Sequence, residues 1–297
     1  MIFPVYYVNG NYQVKIKKDG TKIRTCFEEH FKAKRPETID VNLSNYCENN
    51  CDYCYLAATK EGKSVDVETD AFFETIPPYT ELAVNFFNKK DLLLKNLELF
   101  KKRKFITNLT IHWSDFINNK EWLLKLQEEQ LVYGIGVSVT NEVDLKLTEG
   151  FENLVFHTIA GITTIATFVQ LKEKKVLILG FKTKGRTINK KVPDLKELKK
   201  ELKENLLNDW FEVLTFDNLA IEQLSLKKDI KKEIWEKYYL GEEGNASFYY
   251  DAVYKKAFRS STEPLEKELV GRNALAIFEN LTGGFENDNF FNTSNYI

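Results

Sequence analysis

Three cysteines lie within eight residues of the chain, in the run Cys47-Glu48-Asn49-Asn50-Cys51-Asp52-Tyr53-Cys54. Cysteine sulfur is a soft ligand that suits iron–sulfur clusters and zinc, so thiolates spaced C-x3-C-x2-C on one loop can converge on one metal centre. Three sulfurs on a [4Fe–4S] cube leave its remaining iron open to a molecule that is not protein. An open position is typical of a catalytic metal site, whereas protein ligands close a structural one.

Two other interpretations of this motif are a zinc site and three free thiols. A zinc site needs a fourth ligand at the usual spacing, and no His or Cys follows within the next fifty residues. A disulfide framework is not expected in a long, cysteine-poor chain without a secretory signal. Cys26, the remaining cysteine, is expected to be a small buried hydrophobe. The sequence therefore favours one iron–sulfur cluster at most.

The eight residues resemble the C-x3-C-x-(aromatic)-C signature of the radical S-adenosylmethionine (SAM) superfamily, with Tyr53 as the aromatic residue. The resemblance implies that Cys47, Cys51 and Cys54 hold a [4Fe–4S] cluster at the end of the first barrel strand. It implies that the open iron binds the amine and carboxylate of SAM, which is cleaved reductively to methionine and a 5′-deoxyadenosyl radical for hydrogen abstraction. It also implies a reducing partner such as a flavodoxin or a ferredoxin.

Composition and charge limit the class of protein. A chain of 297 residues with a hydrophobic fraction of 43% can form one large α/β domain or two smaller ones. Its formal charge of −2 gives no whole-molecule attraction to nucleic acid or anionic membrane. No apolar run approaches the about 20 residues of a membrane span, and the N-terminus lacks the basic start of a signal peptide. We expect a cytoplasmic protein with no membrane partner.

The N-terminal residues are predicted to form a small antiparallel sheet. Strands Val5–Val8 and Tyr12–Ile16 flank Asn9-Gly10, which is a two-residue hairpin signal. A third strand is expected over Lys22–Cys26. This meander is either a structural cap on the main domain or a binding element.

Strands and helices alternate after residue 36, which predicts right-handed crossovers and a parallel sheet. The predicted strands are Thr38–Leu43, Glu81–Phe87, Phe105–Trp113, Tyr133–Thr140, Leu154–Ala160, Val176–Phe181, Leu219–Leu224 and Ser247–Val253. The predicted helices are Asp66–Thr75, Asp91–Lys102, Lys120–Gln130, Thr163–Lys172, Leu195–Leu207, Lys231–Tyr239 and 264–282.

The predicted fold class is α/β, with a parallel (β/α) barrel that is partial or nearly closed and a small N-terminal β-meander. The resemblance to the radical SAM barrel covers about residues 36–190. We expect three units, in the order meander and connector, barrel, and C-terminal helix with tail. Their bounds are 1–35, 36–255 and 256–297.

The C-terminal ends of barrel strands carry active sites. After the second strand the superfamily usually has a glycine-rich stretch ending in Glu, which holds the amino group of SAM; this chain has Asn85-Phe86-Phe87-Asn88. Glycine permits a close backbone approach that phenylalanine does not. The resemblance implies Asn88 as an uncharged SAM ligand at this place. The other interpretation of Asn88 is a helix N-cap.

The resemblance implies further contacts to SAM from the fourth and fifth strands. Ser138 and Thr140 share one strand face, and their hydroxyls can donate to and accept from the ribose diol. Ile159 is expected beside the adenine, where Gly161 permits close approach. His157 is either a substrate ligand or a core histidine.

The substrate stays open between a peptide or protein and a nucleotide. The meander could hold a peptide by strand addition, while Lys182, Lys184 and Arg186 could hold a phosphate. These cations could equally form a solvated loop. Activation of a glycyl-radical enzyme is a third substrate option. The alternative function is a non-catalytic iron–sulfur or zinc protein that has lost SAM chemistry, an alternative favoured by Phe86–Asn88.

Overall fold

The computed structural model describes residues 3–26, 28, 31–207, 209–239, 241–263, 268, 271 and 273–282. The strands in these residues are β1 (Val5–Asn9), β2 (Tyr12–Ile16), β3 (Lys22–Cys26), β4 (Thr38–Asn42), β5 (Glu81–Asn85), β6 (Ile106–His112), β7 (Gly134–Ser138), β8 (Leu154–Ile159), β9 (Lys175–Leu179), β10 (Val213–Phe216), β11 (Ser247–Asp251) and β12 (Lys256–Phe258). The α-helices are α1 (Lys90–Lys102), α2 (Trp113–Asn118), α3 (Lys120–Glu128), α4 (Ile165–Gln170), α5 (Lys196–Glu201), α6 (Asn218–Leu224), α7 (Lys232–Tyr238) and α8 (Ala274–Thr282).

The predicted N-terminal meander is confirmed. Strands β1, β2 and β3 form an antiparallel sheet in that order. In β2 the residues Tyr12, Val14 and Ile16 are buried, and they alternate with more accessible residues as expected for a sheet with one covered face. The meander therefore packs its apolar face against the rest of the chain.

The meander lies at the N-terminal ends of the strands of the large sheet. Each of three successive carbonyls in the turn between β2 and β3 accepts a hydrogen bond from a residue at or just before the start of one large-sheet strand. The pairs are Lys17 with Tyr133, Lys18 with Asn153 and Asp19 with Lys175. Because the cysteine loop follows the C-terminal end of β4, the meander and that loop lie at opposite ends of the sheet.

An ion-pair network joins the meander to the first two large-sheet strands. Glu37, just before β4, accepts hydrogen bonds from Arg24 at 2.7 Å and from the Tyr12 hydroxyl at 2.6 Å. Lys22 lies 3.2 Å from Glu37 and 3.0 Å from Glu81 at the start of β5. The Glu37 side chain is only 2% exposed. Loss of one partner would therefore leave a buried charge uncompensated and would destabilise the fold.

The large sheet has nine strands in the order β10-β9-β8-β7-β6-β5-β4-β11-β12. All neighbouring pairs from β10 to β11 are parallel, and only β12 is antiparallel to its neighbour. The mostly parallel α/β sheet predicted from the alternation of elements is therefore confirmed. The last parallel strand along the chain, β11, pairs with the first, β4. These two strands therefore lie side by side in the sheet, although they are far apart in the sequence.

One face of this sheet is buried and the other is partly accessible. In β5 the residues Leu82 and Val84 are fully buried, whereas Ala83 and Asn85 between them are partly exposed. The same alternation runs through β6, β8 and β9. We call the partly accessible side the open face; by the strand registers it carries Asp40, Ala83, Asn108, Gly134, Ser138, His157 and Tyr249.

The predicted strand over Leu219–Leu224 is wrong, because these residues belong to helix α6. The Asp217 side chain accepts a hydrogen bond from the Ala220 N–H and caps the helix. Ala220 and Leu224 are buried at helical spacing, four residues apart. The seventh parallel strand lies just before this cap, in β10.

The other differences concern short elements. Instead of one helix over Asp66–Thr75 there are two 3-10 turns, Val67–Thr69 and Ala71–Thr75. Strand β12 was not predicted. The predicted helix over 264–282 is described only in part, as α8, and the tail after 282 lies outside the described residues. Among the described helices none combines the length and apolar character of a membrane span.

Candidate functional site

The cysteine loop begins where β4 ends, and β5 holds its first residues. The Asn85 side chain accepts a hydrogen bond from the Leu43 N–H at 2.7 Å and donates one to the Ser44 carbonyl at 2.8 Å. The amide of Asn85 thus pairs with one backbone N–H and one backbone carbonyl just after the end of β4. It replaces the backbone hydrogen bonds that end where β4 and β5 separate. Asn85 thus fixes the exit of the chain toward Cys47.

The three thiols of the motif lie close together. Cys47, Cys51 and Cys54 are each half-buried. Burial raises the pKa of Cys47 and of Cys51, and the neighbouring thiols raise it further by charge repulsion. Cys26, by contrast, lies in β3 of the meander, where its thiol contacts the Asn11 carbonyl. Only the three predicted cysteines are therefore brought together.

Arg186, from the segment after β9, holds the backbone of the cysteine loop. Its guanidinium donates to the carbonyl of Cys51 at 2.9 Å and to the carbonyl of Ala58. Its own N–H donates to the Cys54 carbonyl at 3.0 Å. Hydrogen bonds to a charged donor are the stronger kind, so Arg186 ties two of the three cysteine positions to a distant part of the chain.

The residues around Arg186 tighten the same contact. Gly185 has a positive φ of 63°, and a Cβ there would lie 2.3 Å from the Tyr55 carbonyl oxygen. Only glycine fits this close approach with that backbone conformation. Lys190 donates to the Asp52 carbonyl at 3.1 Å. Segment 185–190 therefore packs directly on the cysteine loop.

Tyr53, the aromatic residue of the motif, connects the loop with two strand ends. Its hydroxyl lies near the side chains of Cys51 and Thr140, which both influence its pKa. It also lies 3.4 Å from Nε2 of His112, the last residue of β6. Burial and the Cys51 thiol raise the pKa of Tyr53 to about 12, so the phenol stays neutral. The structure thus brings together Tyr53, Cys51 and Thr140 from the predicted site.

A second polar contact joins the loop to the start of α2. Asn49 accepts a hydrogen bond from the Ser114 hydroxyl at 2.9 Å and donates to the Asp115 carboxylate. Ser114 in turn lies 2.8 Å from Nδ1 of His112. Asn49 also lies close enough to the Cys47 thiol to oppose the rise of that thiol's pKa.

The other predicted SAM contacts occupy the C-terminal edge of the sheet. Ser138 ends β7 and pairs in register with His112 on one side and His157 on the other. Ile159 ends β8 on the open face. Gly161 follows with a positive φ of 75°, and a Cβ there would lie 2.5 Å from the Pro193 side chain. The close neighbour of Gly161 in this structure is thus Pro193.

Asn88 makes none of the contacts described above. It is exposed, while the preceding Phe86 and Phe87 are buried. The N-cap of α1 is Lys89, which makes no side-chain capping bond. The interpretation of Asn88 as the N-cap of that helix is therefore wrong. None of the hydrogen bonds described for the cysteine loop involves Asn88.

Charged side chains gather on the open face below the cysteine loop. The Lys182 ammonium lies 4.1 Å from the Tyr55 ring centroid and donates to the Ser261 hydroxyl at 2.6 Å. Burial raises the pKa of Asp40 to about 6, and the Lys182 charge opposes that rise. Burial and Lys182 lower the pKa of His157 to about 4, so His157 is neutral at pH 7. These groups are enclosed by protein yet retain solvent access, as expected for the wall of a cavity.

The sheet must curve to bring these charges together. Four strands separate β4, which carries Asp40, from β9, which precedes Lys182. In a flat sheet, five strand spacings would put them about 24 Å apart. Curvature of this kind makes the open face concave. The sequence signal for these residues was weak, because each is a single polar residue in or beside an apolar strand.

Within the described residues, no three or more His, Cys, Asp or Glu side chains surround one point where a single metal ion could bind. Three thiolates that each bind a different iron of a cube need not converge on one point. Comparisons of the chain with protein families, with curated proteins and with solved structures return no match.

Proposed function

We propose that this chain is a radical SAM enzyme in which Cys47, Cys51 and Cys54 hold one [4Fe–4S] cluster. The observation that carries the proposal is the placement of three half-buried, neighbouring thiols at the C-terminal edge of a parallel sheet. Active sites of parallel α/β folds lie at that edge. The meander closes the opposite end, which leaves the cysteine end for substrate entry.

The thiol set fits a cluster chemically. The cysteine loop offers three half-buried sulfurs, and Arg186 holds its carbonyls at Cys51, Cys54 and Ala58. When bound, such a cluster supplies the electron for reductive cleavage of SAM. Residues of this chain would then orient SAM, with Thr140 and Ser138 as the hydroxyl partners of its ribose. Tyr53, whose hydroxyl lies near Thr140, would border the same side of the SAM site.

The strand order supports a split (β/α) barrel as the fold of this enzyme. β11 pairs with β4, just as the last strand of a closed barrel pairs with the first. The charge of Lys182 also acts on Asp40, although their strands are not neighbours in the sheet. In the described residues β10 has no hydrogen-bonded partner on its outer side, and β12 ends the sheet opposite it. The proposed barrel is therefore open at one seam, between β10 and β12.

The stretch ending at Asn88 predicts weaker SAM binding than an acidic residue would give. A charged partner for the SAM amine contributes about 1.5–3 kcal/mol and a neutral one about 0.5–1.5 kcal/mol. The difference corresponds to roughly tenfold in affinity. Asn88 is exposed, so in this proposal it contributes at most a neutral hydrogen bond to the SAM amine. Chelation of the open iron by SAM itself would carry most of the binding.

Anaerobic reconstitution with iron and sulfide tests the proposal. We expect about four irons and four sulfides per chain and visible thiolate-to-iron absorption. Alanine at Cys47, Cys51 or Cys54 should each abolish the cluster, and the matched control Cys26→Ala should retain it. A colourless protein that binds one zinc would contradict the proposal and support the non-catalytic alternative.

A further inference from the structure

Asp40 is a carboxylate without a direct partner on the open face of the large sheet. It lies in the middle of β4 and keeps solvent access. Its side chain makes no hydrogen bond or close ion pair with another residue in the part of the chain that the structure describes. Asp217, by contrast, accepts hydrogen bonds from the N–H groups of Gly180 and Ala220 at 2.9 and 2.7 Å. The Asp40 carboxylate therefore has both the space and the oxygens to bind a ligand.

Negative charge is in excess around Asp40. Asp217 and Glu243 act on it by repulsion, whereas Lys182 acts on it by attraction. Burial raises the pKa of all three carboxyls, which is the direction expected where carboxylates lack enough neighbouring cations. Charges that are removed from water are stabilised by pairing. A further cation beside Asp40 would therefore be attracted, and an anion would be repelled.

Lys182 leaves the Asp40 carboxylate unpaired. Its ammonium donates to the Ser261 hydroxyl at 2.6 Å and lies 4.1 Å from the centroid of the Tyr55 ring. It lowers the pKa of Asp40 from a distance, and burial outweighs that effect. The contact with Tyr55 also shows that an aromatic ring in this region accommodates an ammonium group.

Two tyrosines border Asp40. Tyr249 is its register partner on β11, and side chains of neighbouring strands at matched positions lie on the same face of a sheet. The phenol groups of Tyr249 and Tyr55 both interact electrostatically with Asp40. Aromatic rings beside a carboxylate are a combination that binds organic ammonium groups. A metal ion fits less well, because within the described residues no three His, Cys, Asp or Glu side chains surround one point.

We infer that Asp40 binds the protonated primary amine of an organic molecule, and that this molecule is the substrate. The second part of the inference rests on the proposed function. The location supports it, because Tyr55 directly follows Cys54 and interacts electrostatically with both Cys54 and Asp40. A molecule anchored on Asp40 would thus lie beside the residue that follows a proposed cluster ligand. The substrate class is therefore a primary amine.

Binding of n-butylammonium to the full-length chain, before and after reconstitution, tests the amine site. Saturation-transfer NMR at pH 8 follows the ligand protons, and sodium butyrate and 1-butanol are the anionic and neutral probes. Asp40, with a pKa of about 6, is ionised at this pH, and an alkylamine is protonated. We expect half-saturation at about 1–50 mM, as a ligand of this size allows. Butyrate and butanol should each bind at least about tenfold more weakly.

Asp40→Asn should weaken butylammonium binding at least about tenfold, because it removes the charge and keeps the shape. The matched control is Asp19→Asn in the exposed meander turn, which changes net charge equally and should leave the affinity unchanged. Lys182→Met removes a competing cation while Asp40 stays, so it should tighten binding about threefold or more. Equal affinities in the variants at 40 and 19, or tighter binding of butyrate than of butylammonium, would overturn the inference.

The reconstituted protein tests whether the amine site is the substrate site. Dithionite makes the cluster paramagnetic, so it should speed the proton relaxation of butylammonium in the wild type and not in Asp40→Asn. Binding without this effect would overturn the assignment to the substrate. A chain that cleaves SAM with its cluster but binds no butylammonium would overturn the amine inference alone. A chain that takes up no iron and sulfide would overturn the proposed function and the substrate assignment, while the cluster-free titration still decides the amine site.

Discussion

At the scale of single residues, Arg186 makes three hydrogen bonds to carbonyls of the cysteine loop. It lies more than 130 positions after Cys51 in the sequence, yet it holds that residue's carbonyl at 2.9 Å. The interaction fixes backbone atoms, so it acts on the positions of the thiols rather than on their chemistry. Arg186 is therefore a positioning residue for the proposed cluster.

The first prediction concerns Arg186→Gln. Loss of a charged hydrogen-bond donor costs about 1.5–3 kcal/mol, so the cluster should be lost to a chelator roughly tenfold faster. Arg186→Lys should restore part of the stability because one charged donor remains. Lys184→Gln is the matched control, since that ammonium reaches the carbonyls of Ser261 and Glu263 instead. Equal cluster lifetimes in the Gln variants at 184 and 186 would contradict the positioning role.

The sequence predicted the part of the site that is local. The spacing of the cysteines with Tyr53 lies within eight residues, so no tertiary information was needed to recognise it. The strand-end rule also selected Thr140, whose side chain lies near Tyr53; its role toward SAM stays a prediction. Arg186 was identified only as a cation near the sheet edge, because its contact with the cysteine loop depends on how two distant loops pack.

At the scale of elements, Glu37 provides the buried ionic attachment of the meander to the large sheet. Lys22 and Arg24 hold the pKa of Glu37 near 2, well below its ordinary value of 4.5, against the opposing effect of burial. A carboxyl with a lowered pKa stabilises the fold above its ordinary pKa. That contribution disappears as pH falls from about 4.5 toward 2.

The second prediction is that Glu37→Gln destabilises the protein at pH 7 by about 3–5 kcal/mol, because it leaves buried cations without their partner. Denaturant unfolding monitored by circular dichroism measures this change. The difference from the wild type should shrink as pH is lowered through the range in which Glu37 protonates. Glu152→Gln, which breaks an exposed pair with Lys18, should cost less than about 1 kcal/mol. Similar losses in both variants would contradict the role given to Glu37.

The errors at element scale have physical causes. The apolar run at residues 219–224 satisfies both a strand and a helix pattern, and Asp217 decides the outcome by capping a helix. β10 has only four residues, too few for a clear alternation. β12 is a strand because it pairs with β11 in antiparallel orientation. The sequence of a three-residue strand does not reveal which strand it pairs with.

At the scale of the whole molecule, curvature of the sheet brings distant charges together on the open face. The alternation of strands and helices predicted a parallel sheet, but strand order and curvature arise from long-range pairing. The pairing of β11 with β4 joins residues about 200 positions apart. The charges of Asp40 and Lys182 then interact, although β4 and β9 are not neighbouring strands.

The third prediction tests this curvature. Lys182→Met should raise the pKa of the Asp40 carboxyl above its value of about 6, since removal of a nearby cation disfavours the charged form. Carboxyl NMR titration of the cluster-free protein measures it. Lys184→Met is the matched control, as that lysine interacts with Asp251 rather than with Asp40. In a flat sheet Lys182 would lie beyond the Debye length of about 10 Å, and neither variant would shift Asp40.

The most direct test of the central claim is formation of 5′-deoxyadenosine from SAM. The reconstituted protein is combined anaerobically with SAM and dithionite, without substrate, and the product is quantified by liquid chromatography. We expect slow release of 5′-deoxyadenosine that depends on the cluster and is absent in Cys51→Ala. A protein that carries an intact cluster yet neither binds SAM nor forms 5′-deoxyadenosine would contradict the proposed enzyme and support a non-catalytic iron–sulfur protein.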